Sequence, residues 1–484
     1  MGRGAMPRGR PGTTFALLWV VLAHANQQTA VLPALPLLQQ DLGATATWTN
    51  WVASAFLLVT AVATPLVGKL GDRRGKRRML VVAISAFTLG SLLAAVAESI
   101  AVVIAARAVQ GIAGGVIPLA VGVVRDDYPE ERVGVVIGMI FAATAAGTSL
   151  GVVASGILID YVSWRVMFVF TAACGVVGLA LVMRYVPDSP PRPYAPLDLP
   201  GAALLSVGVG GLLLAITLGA DLGWTSAPVV GLLCASSIAF GVWVLVELRV
   251  RYPLLDVRVL ARRTMLMTQC ANTLYGFAIY VPLVTIPAFV MAPQGLSADL
   301  AAQVDYGFAA SATMAGLYLA PGFLAGLLTG PLTGVLIRRT DPSLTLAGGL
   351  ALVGLGTSFV AIWHTEPWQV VAGMFLVGVA HPIVAPSLTT TVISSVRADE
   401  TSVATGVTQV VRAIGSAVGT QVVAAILAIQ VIAGTTVPTE GAFITVLWVS
   451  AGVSAASVIM ALCAVSAVRP RPATPVAVAL EEAA

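Results

Sequence analysis

The sequence predicts an all-helical integral membrane protein: about fourteen spans, arranged as two six-helix bundles with two inserted linker helices. Three observations predict it. Of 484 residues, 58% are hydrophobic and only 10% charged, with a mean hydropathy of +0.94, whereas soluble chains run nearer half apolar and a quarter charged. The apolar runs are long and unalternating, which favours helices over barrel strands. The basic residues then sort to one side of the bilayer once the spans are drawn.

Span one, 13–36, follows Arg3, Arg8 and Arg10 and reads as an uncleaved first helix. Spans two and three, 50–70 and 79–97, are divided by a basic run from Lys69 to Arg78. Spans four to six lie at 99–124, 133–159 and 165–186, and an apolar pair at 199–220 and 227–248 follows. Six more come at 265–291, 309–337, 343–363, 368–395, 402–430 and 442–467. With this assignment, every basic residue except Arg107, Arg165 and Arg412 falls on the side that holds both termini. The opposite side receives Asp41, Glu98, Asp160, Asp221, Asp299, Asp305, Glu366 and Glu440. The positive-inside rule then makes both termini cytoplasmic.

A net charge of +4 gives no ground for a nucleic-acid partner. Cys174, Cys234, Cys270 and Cys463 stand singly in apolar stretches, without metal spacing, and read as small buried residues. No nucleotide-binding loop or haem or zinc signature occurs, so no cofactor is expected. No cluster of catalytic side chains stands at a membrane face, so the chain is not expected to be an enzyme. Within the spans stand two arginines, Arg107 and Arg412, and two histidines, His24 and His381, and no carboxylate lies near the middle of any span.

The two ends of the chain echo each other. Pro65-Leu66-Val67-Gly68-Lys69-Leu70 matches Pro331-Leu332-Thr333-Gly334-Val335-Leu336, and Gly138, Gly147 and Gly151 correspond to Gly406, Gly415 and Gly419. The expected division is therefore 1–186 and 264–468 as two related bundles, 187–263 as the linker with the extra helices, and 469–484 as a cytoplasmic tail. Related halves of this kind imply a transporter whose site lies between them.

The run Gly68-Lys69-Leu70-Gly71-Asp72-Arg73-Arg74-Gly75-Lys76-Arg77-Arg78 resembles the loop signature of the major facilitator superfamily, placed after span two. Arg107-Ala108-Val109-Gln110-Gly111, Gly147-Thr148-Ser149-Leu150-Gly151, Trp164-Arg165 and Ala34-Leu35-Pro36 are similar to the fourteen-span drug:proton antiporters of that superfamily, the EmrB/QacA type. The resemblance implies a conformational latch at Gly68, Asp72, Arg73, Gly75 and Arg77, partnered by Asp126 or Asp127. It also implies a part in proton transfer for Arg107 and close helix packing at Gly147 and Gly151, with Gly415 and Gly419 as their counterparts. Two positions depart from it. Thr148 replaces a proline of the fifth-span motif, and Gln27 stands where the subfamily has an aspartate, so that residue cannot carry a proton.

His24 and His381 are the remaining proton-coupling candidates, since imidazole titrates near working pH. Asn26, Gln27, Gln269, Asn272, Tyr275, Tyr280 and Gln409 are candidates for lining an amphipathic pocket. Arg412 pairs with an anionic substrate or ties helices through backbone carbonyls; the sequence leaves both open. The expected function is export of amphipathic organic compounds or drugs from a bacterium across its cytoplasmic membrane, by alternating access with proton antiport, as a monomer. The alternatives are an exporter or facilitator of a specific metabolite or lipid without proton coupling, and an intramembrane enzyme.

Overall fold

The computed structural model describes residues 11–188, 198–250, 257–293, 303–396 and 401–465, apart from 32–33, 35–36, 39–40, 45, 433–434 and 436. Its long helices, in chain order, are α1 Pro11–Ala30, α2 Ala46–Arg74, α3 Lys76–Ala95, α4 Ile100–Asp127, α5 Glu130–Tyr161, α6 Trp164–Tyr185, α7 Leu199–Leu222 and α8 Ala227–Glu247. They continue with α9 Arg263–Met291, α10 Ala312–Arg339, α11 Pro342–Ile362, α12 Pro367–Ser395, α13 Thr401–Ile429 and α14 Glu440–Val465. Hydrocarbon offers backbone amides no water, so each crossing segment must satisfy its own N–H and C=O groups within a helix.

Against the expected fourteen spans, twelve helices among the described residues are long and apolar enough to cross a membrane. The two outside that set are α1 and α7. Polar His24, Asn26, Gln27 and Gln28 crowd one end of α1, which ends at Ala30 instead of the expected 36, ahead of Pro33 and Pro36 in the sequence. In α7 the described residues give Pro200–Ile216, an apolar segment of seventeen residues. Inside α4, residues Ile112–Gly115 tighten to a 3₁₀ turn, and the glycines there lie directly on α2, against Thr60, Thr64 and Val67. Gly75 makes the turn between α2 and α3 with φ 101°, a left-handed conformation that a β-carbon disfavours.

Helices α1–α6 and α9–α14 follow one contact pattern. The first helix of each set lies on the fifth, the third on the sixth, and the second on the fourth. Across the sets, α5 packs along α10 and α2 along α13, so the second helix of each meets the fifth of the other. The correspondence reaches single residues. Gly138 abuts the Gly330 carbonyl and Pro331, while its counterpart Gly406 abuts Thr64 and Pro65. Gly134 and Gly334 likewise bring backbone against backbone, and at Gly138, Gly330 and Gly334 a β-carbon would not fit without displacement. In lipid, such dispersion contacts between small residues hold helices together where no hydrophobic drive exists.

Helices α7 and α8 pack on each other, and α7 lies against α2 and α13, so the pair flanks one of the two seams. Ala202, Leu205, Val209, Leu213 and Trp243 form an apolar cluster there with Ala61, Met265 and Val407.

Candidate functional site

Arg107, on α4, is fully buried. Its Nε donates to the Val52 carbonyl at 3.1 Å, and its Nη1 donates to the Gln27 carbonyl at 3.3 Å and to Gln110 Oε1 at 2.9 Å. The guanidinium lies over the Phe56 ring, 4.3 Å from its centroid. The Gln27 amide donates to the same Gln110 oxygen at 2.9 Å, and Gln110 Nε2 donates to Ser91 at 2.9 Å. One network therefore joins α1, α2, α3 and α4 around an arginine that has no carboxylate partner among the described residues. His24 stands beside it, its ring 6.0 Å from that of Phe56, with Nδ1 buried and unpartnered.

The second set has a polar fastener of its own. Asn272 donates to the Thr408 carbonyl at 2.7 Å and to Gln269 Oε1 at 3.3 Å, while Gln269 donates to Thr408 Oγ1 at 3.1 Å, tying α9 to α13. Gln27, Gln269 and Asn272, expected to line a pocket, thus spend hydrogen bonds within their own helix sets. Asn26 is buried, and its carbonyl lies against Gly151. Gly147 and Gly151 bring α5 onto Leu22 and Asn26 of α1, and Gly415 and Gly419 bring α13 onto Thr273 and Phe277 of α9.

A different group of polar side chains gathers where the two sets face each other. Tyr280 of α9 accepts a hydrogen bond from Gln28 of α1 at 3.0 Å. The buried Tyr275 hydroxyl lies 2.6 Å from His381 Nδ1, with their rings stacked at 6.2 Å. Phe141 of α5 meets the His381 ring edge-on at 6.5 Å from across the seam. Arg412, half-buried near the middle of α13, is close enough for its charge to act on Tyr275, Tyr280 and His381. Its stem and backbone rest on Gly276. Gln409, three residues earlier and on the same face of the helix, is half-buried too.

At the α2–α3 turn, Lys76 is buried and donates to Asp126 at 2.5 Å and to the Gly122 carbonyl at 3.0 Å, with Asp72 at 3.6 Å. Arg77 reaches Asp188 and the Met183 carbonyl, each at 2.6 Å. These bonds bind α2, α3, α4 and the end of α6, all within the first set. Gly68 is buried in α2, and Arg73 lies in its last turn. Between the sets, at the same end of the helices, Arg125 donates to the Thr401 hydroxyl. Nearby, burial and then Asp127 push the Tyr128 hydroxyl above the ordinary tyrosine range, opposed by its 2.8 Å hydrogen bond to Thr14.

The sequence pattern of the Major Facilitator Superfamily matches residues 17–420. The chain belongs to that superfamily. Among its relatives, the tetracenomycin C resistance and export protein of Streptomyces glaucescens is 27% identical over 82% of this chain and 72% of its own length. The multidrug resistance protein Stp of Mycobacterium tuberculosis is 27% identical over 77% of this chain and 67% of its own. Against an uncharacterised MFS-type transporter of that organism, 29% identical, the chain spans about half the relative's length, 49%. The crystal structure of the human organic anion transporter MFSD10 (TETRAN) shares the fold, with a TM-score of 0.62 and 16% identity over 93% of this chain and 100% of that one.

Within this major facilitator fold, several contact residues carried no signal of their own in the sequence. Gln110 was read only as part of the Arg107 motif, and Phe56, Ser91 and Thr401 not at all. Lys76 was read only as one cation of the basic run whose members could pair with Asp126 or Asp127, and nothing marked it out from its neighbours. Trp164, in contrast, has a clear local role: its Nε1 donates to Asp41 at 2.8 Å, and Arg165 lies over its ring at 4.2 Å. Ala34 of the Ala-Leu-Pro motif is buried, whereas Leu35 and Pro36 lie outside the described residues.

Proposed function

We propose that this chain is a secondary transporter that exports amphipathic organic compounds across a bacterial cytoplasmic membrane by alternating access. In this reading all fourteen long helices cross the bilayer and both termini are cytoplasmic. Residues 1–186 and 264–468 are the moving halves, 187–263 an inserted pair, and the chain works as a monomer. The carrying observation is the polar and aromatic group at the junction of the halves, where Gln28 meets Tyr280 and Phe141 meets His381. The export and resistance names of the relatives support the same reading.

Proton antiport is the coupling the resemblance implies. His381 is the candidate best situated for it, since it stands at the junction, whereas His24 and Arg107 sit inside the first set. The Lys76–Asp126 and Arg77–Asp188 bonds, with Asp72, Arg73, Gly68 and Gly75, serve as the latch that stiffens the first set at its cytoplasmic end. A second reading, transport without proton coupling, draws support from Gln27, whose non-ionising amide is engaged with Gln110.

A growth-inhibition panel of toxic organic compounds, comparing expressing and non-expressing cells, tests export. No protection by any compound that the cells otherwise accumulate sinks it. Proton release from purified protein in liposomes on substrate addition separates the two coupling modes: release supports antiport, and its absence supports the uncoupled reading.

A further inference from the structure

We infer that the junction between the two helix sets is a binding site for an amphipathic organic anion, with Arg412 as the group that holds its charge. The inference rests on the reading of that junction as the transport site and adds the substrate's chemical class.

The chain shows two ways of keeping an arginine inside a membrane span. Arg107 is surrounded by the chain's own acceptors, the carbonyls of Val52 and Gln27, the Gln110 oxygen and the Phe56 face. Arg412 has none of this: among the described residues its guanidinium has no hydrogen-bonded or ion-paired partner. An intramembrane cation is costly unless it is paired or solvated, so one that stays without an internal partner marks a site that an external anion completes. A guanidinium presents a planar fork of donors matched to a carboxylate or sulfonate.

Its surroundings point the same way. The Tyr280 hydroxyl accepts from Gln28 and keeps its own proton to donate, the Tyr275–His381 pair stands beside it, and Gln409 lies on the same helix face as Arg412. Within α1, α5, α9, α12 and α13, the carboxylates are confined to Glu130, Glu131 and Asp160, at the ends of α5. A cation entering the junction would therefore meet a positive charge and no counter-charge, whereas an anion is drawn in. Phe141 and the tyrosine rings supply flat apolar walls, which suits an aromatic body behind the anionic group.

Two xanthene dyes of similar size and opposite charge, fluorescein and rhodamine 6G, provide the test. Their binding to the purified full chain in a non-ionic detergent is read by fluorescence anisotropy, with detergent alone subtracted. Fluorescein is expected to bind at least tenfold more tightly than rhodamine 6G. Arg412→Gln should weaken fluorescein at least tenfold, about 1.4 kcal/mol, and leave rhodamine 6G unchanged or tighter, while Arg412→Lys retains most of the affinity. Because no internal partner is orphaned, Arg412→Gln should unfold at a temperature no lower than the wild type, which separates lost binding from lost fold. Absence of fluorescein binding, tighter binding of rhodamine 6G, or fluorescein binding indifferent to Arg412→Gln overturns the inference. Movement of each dye across liposomes is measured apart. Arg412-dependent fluorescein binding without any dye movement supports the anion site and sinks the export reading. Movement of rhodamine 6G alone supports export and overturns the anion site.

Discussion

Arg107 holds the backbone carbonyl of Gln27 at 3.3 Å, and the side chains of both converge on one oxygen of Gln110. That oxygen is the shared acceptor of a buried cation and a buried amide. Gln110→Leu deprives both donors at once, and hydrogen bonds to charged groups contribute roughly 1.5–3 kcal/mol each, with a further desolvation cost for the orphaned partner. The expected loss is about 3 kcal/mol, seen as a lower thermal midpoint in detergent. Gln110→Glu keeps the acceptor and gives Arg107 a carboxylate, so it should stay near wild type. Equal midpoints for the leucine and glutamate variants would show that the network contributes nothing.

Gly138 and Gly330 set the spacing of α5 against α10, and a β-carbon at position 138 would fall on the Gly330 carbonyl. Gly138→Ala should therefore wedge the two sets apart and cut transport at least tenfold, with the protein still inserted in the membrane. Gly231→Ala and Gly452→Ala, which have open space around them, should leave transport unchanged. Equal activity of the Gly138 variant and these controls refutes the tight-seam argument.

Lys76 is buried beside Asp126 and Asp72, so the three charges do not contribute alike. Asp126→Asn leaves an interior ammonium with its closest carboxylate gone and only Asp72, 3.6 Å away, facing it, whereas Lys76→Met removes the ammonium, leaving Asp126 partly in water and taking a nearby cation from Asp72. Breaking a buried pair from the exposed side is the costlier change. Asp126→Asn should lower the thermal midpoint more than Lys76→Met does. Asp72→Asn should slow turnover while membrane insertion stays normal, and unimpaired cycling in that variant removes the latch role.

His381 meets Tyr275 at 2.6 Å at the junction, while His24 stands inside the first set. If protons are exchanged through imidazole, replacing both histidines with glutamine should flatten the pH profile of transport. Most of the change should come from His381→Gln alone. A profile that survives the double replacement excludes histidine coupling.

The helices were legible in the sequence because a bilayer imposes length and apolarity, and because the cations sorted to one side once the spans were drawn. Gly147, Gly151, Gly415 and Gly419 marked α5 and α13 for close helix packing, but not that the neighbours would be α1 and α9. The end of α1 was not legible: an apolar count continues through Val31 and Leu32, whereas the helix stops at Ala30. Partner choice was less legible still. Gln27, Gln269 and Asn272 carry the same amides whether they face a cavity or bond to a neighbouring helix, and only packing decides. The Tyr275–His381 pair is separated by 106 residues, so nothing local announced it.

Arg412 has one more consequence, an electrical one. A fixed positive charge near mid-membrane, without a counter-ion of its own among the described residues, feels the transmembrane voltage, worth roughly 2.3 kcal/mol per elementary charge per 100 mV. If the junction is the anion-transport site proposed above, then with the cell interior negative that force would pull the empty junction toward the cytoplasm and vanish once a bound anion cancels the charge. The return stroke of the empty carrier would then be powered by voltage, and the loaded stroke would be electrically silent.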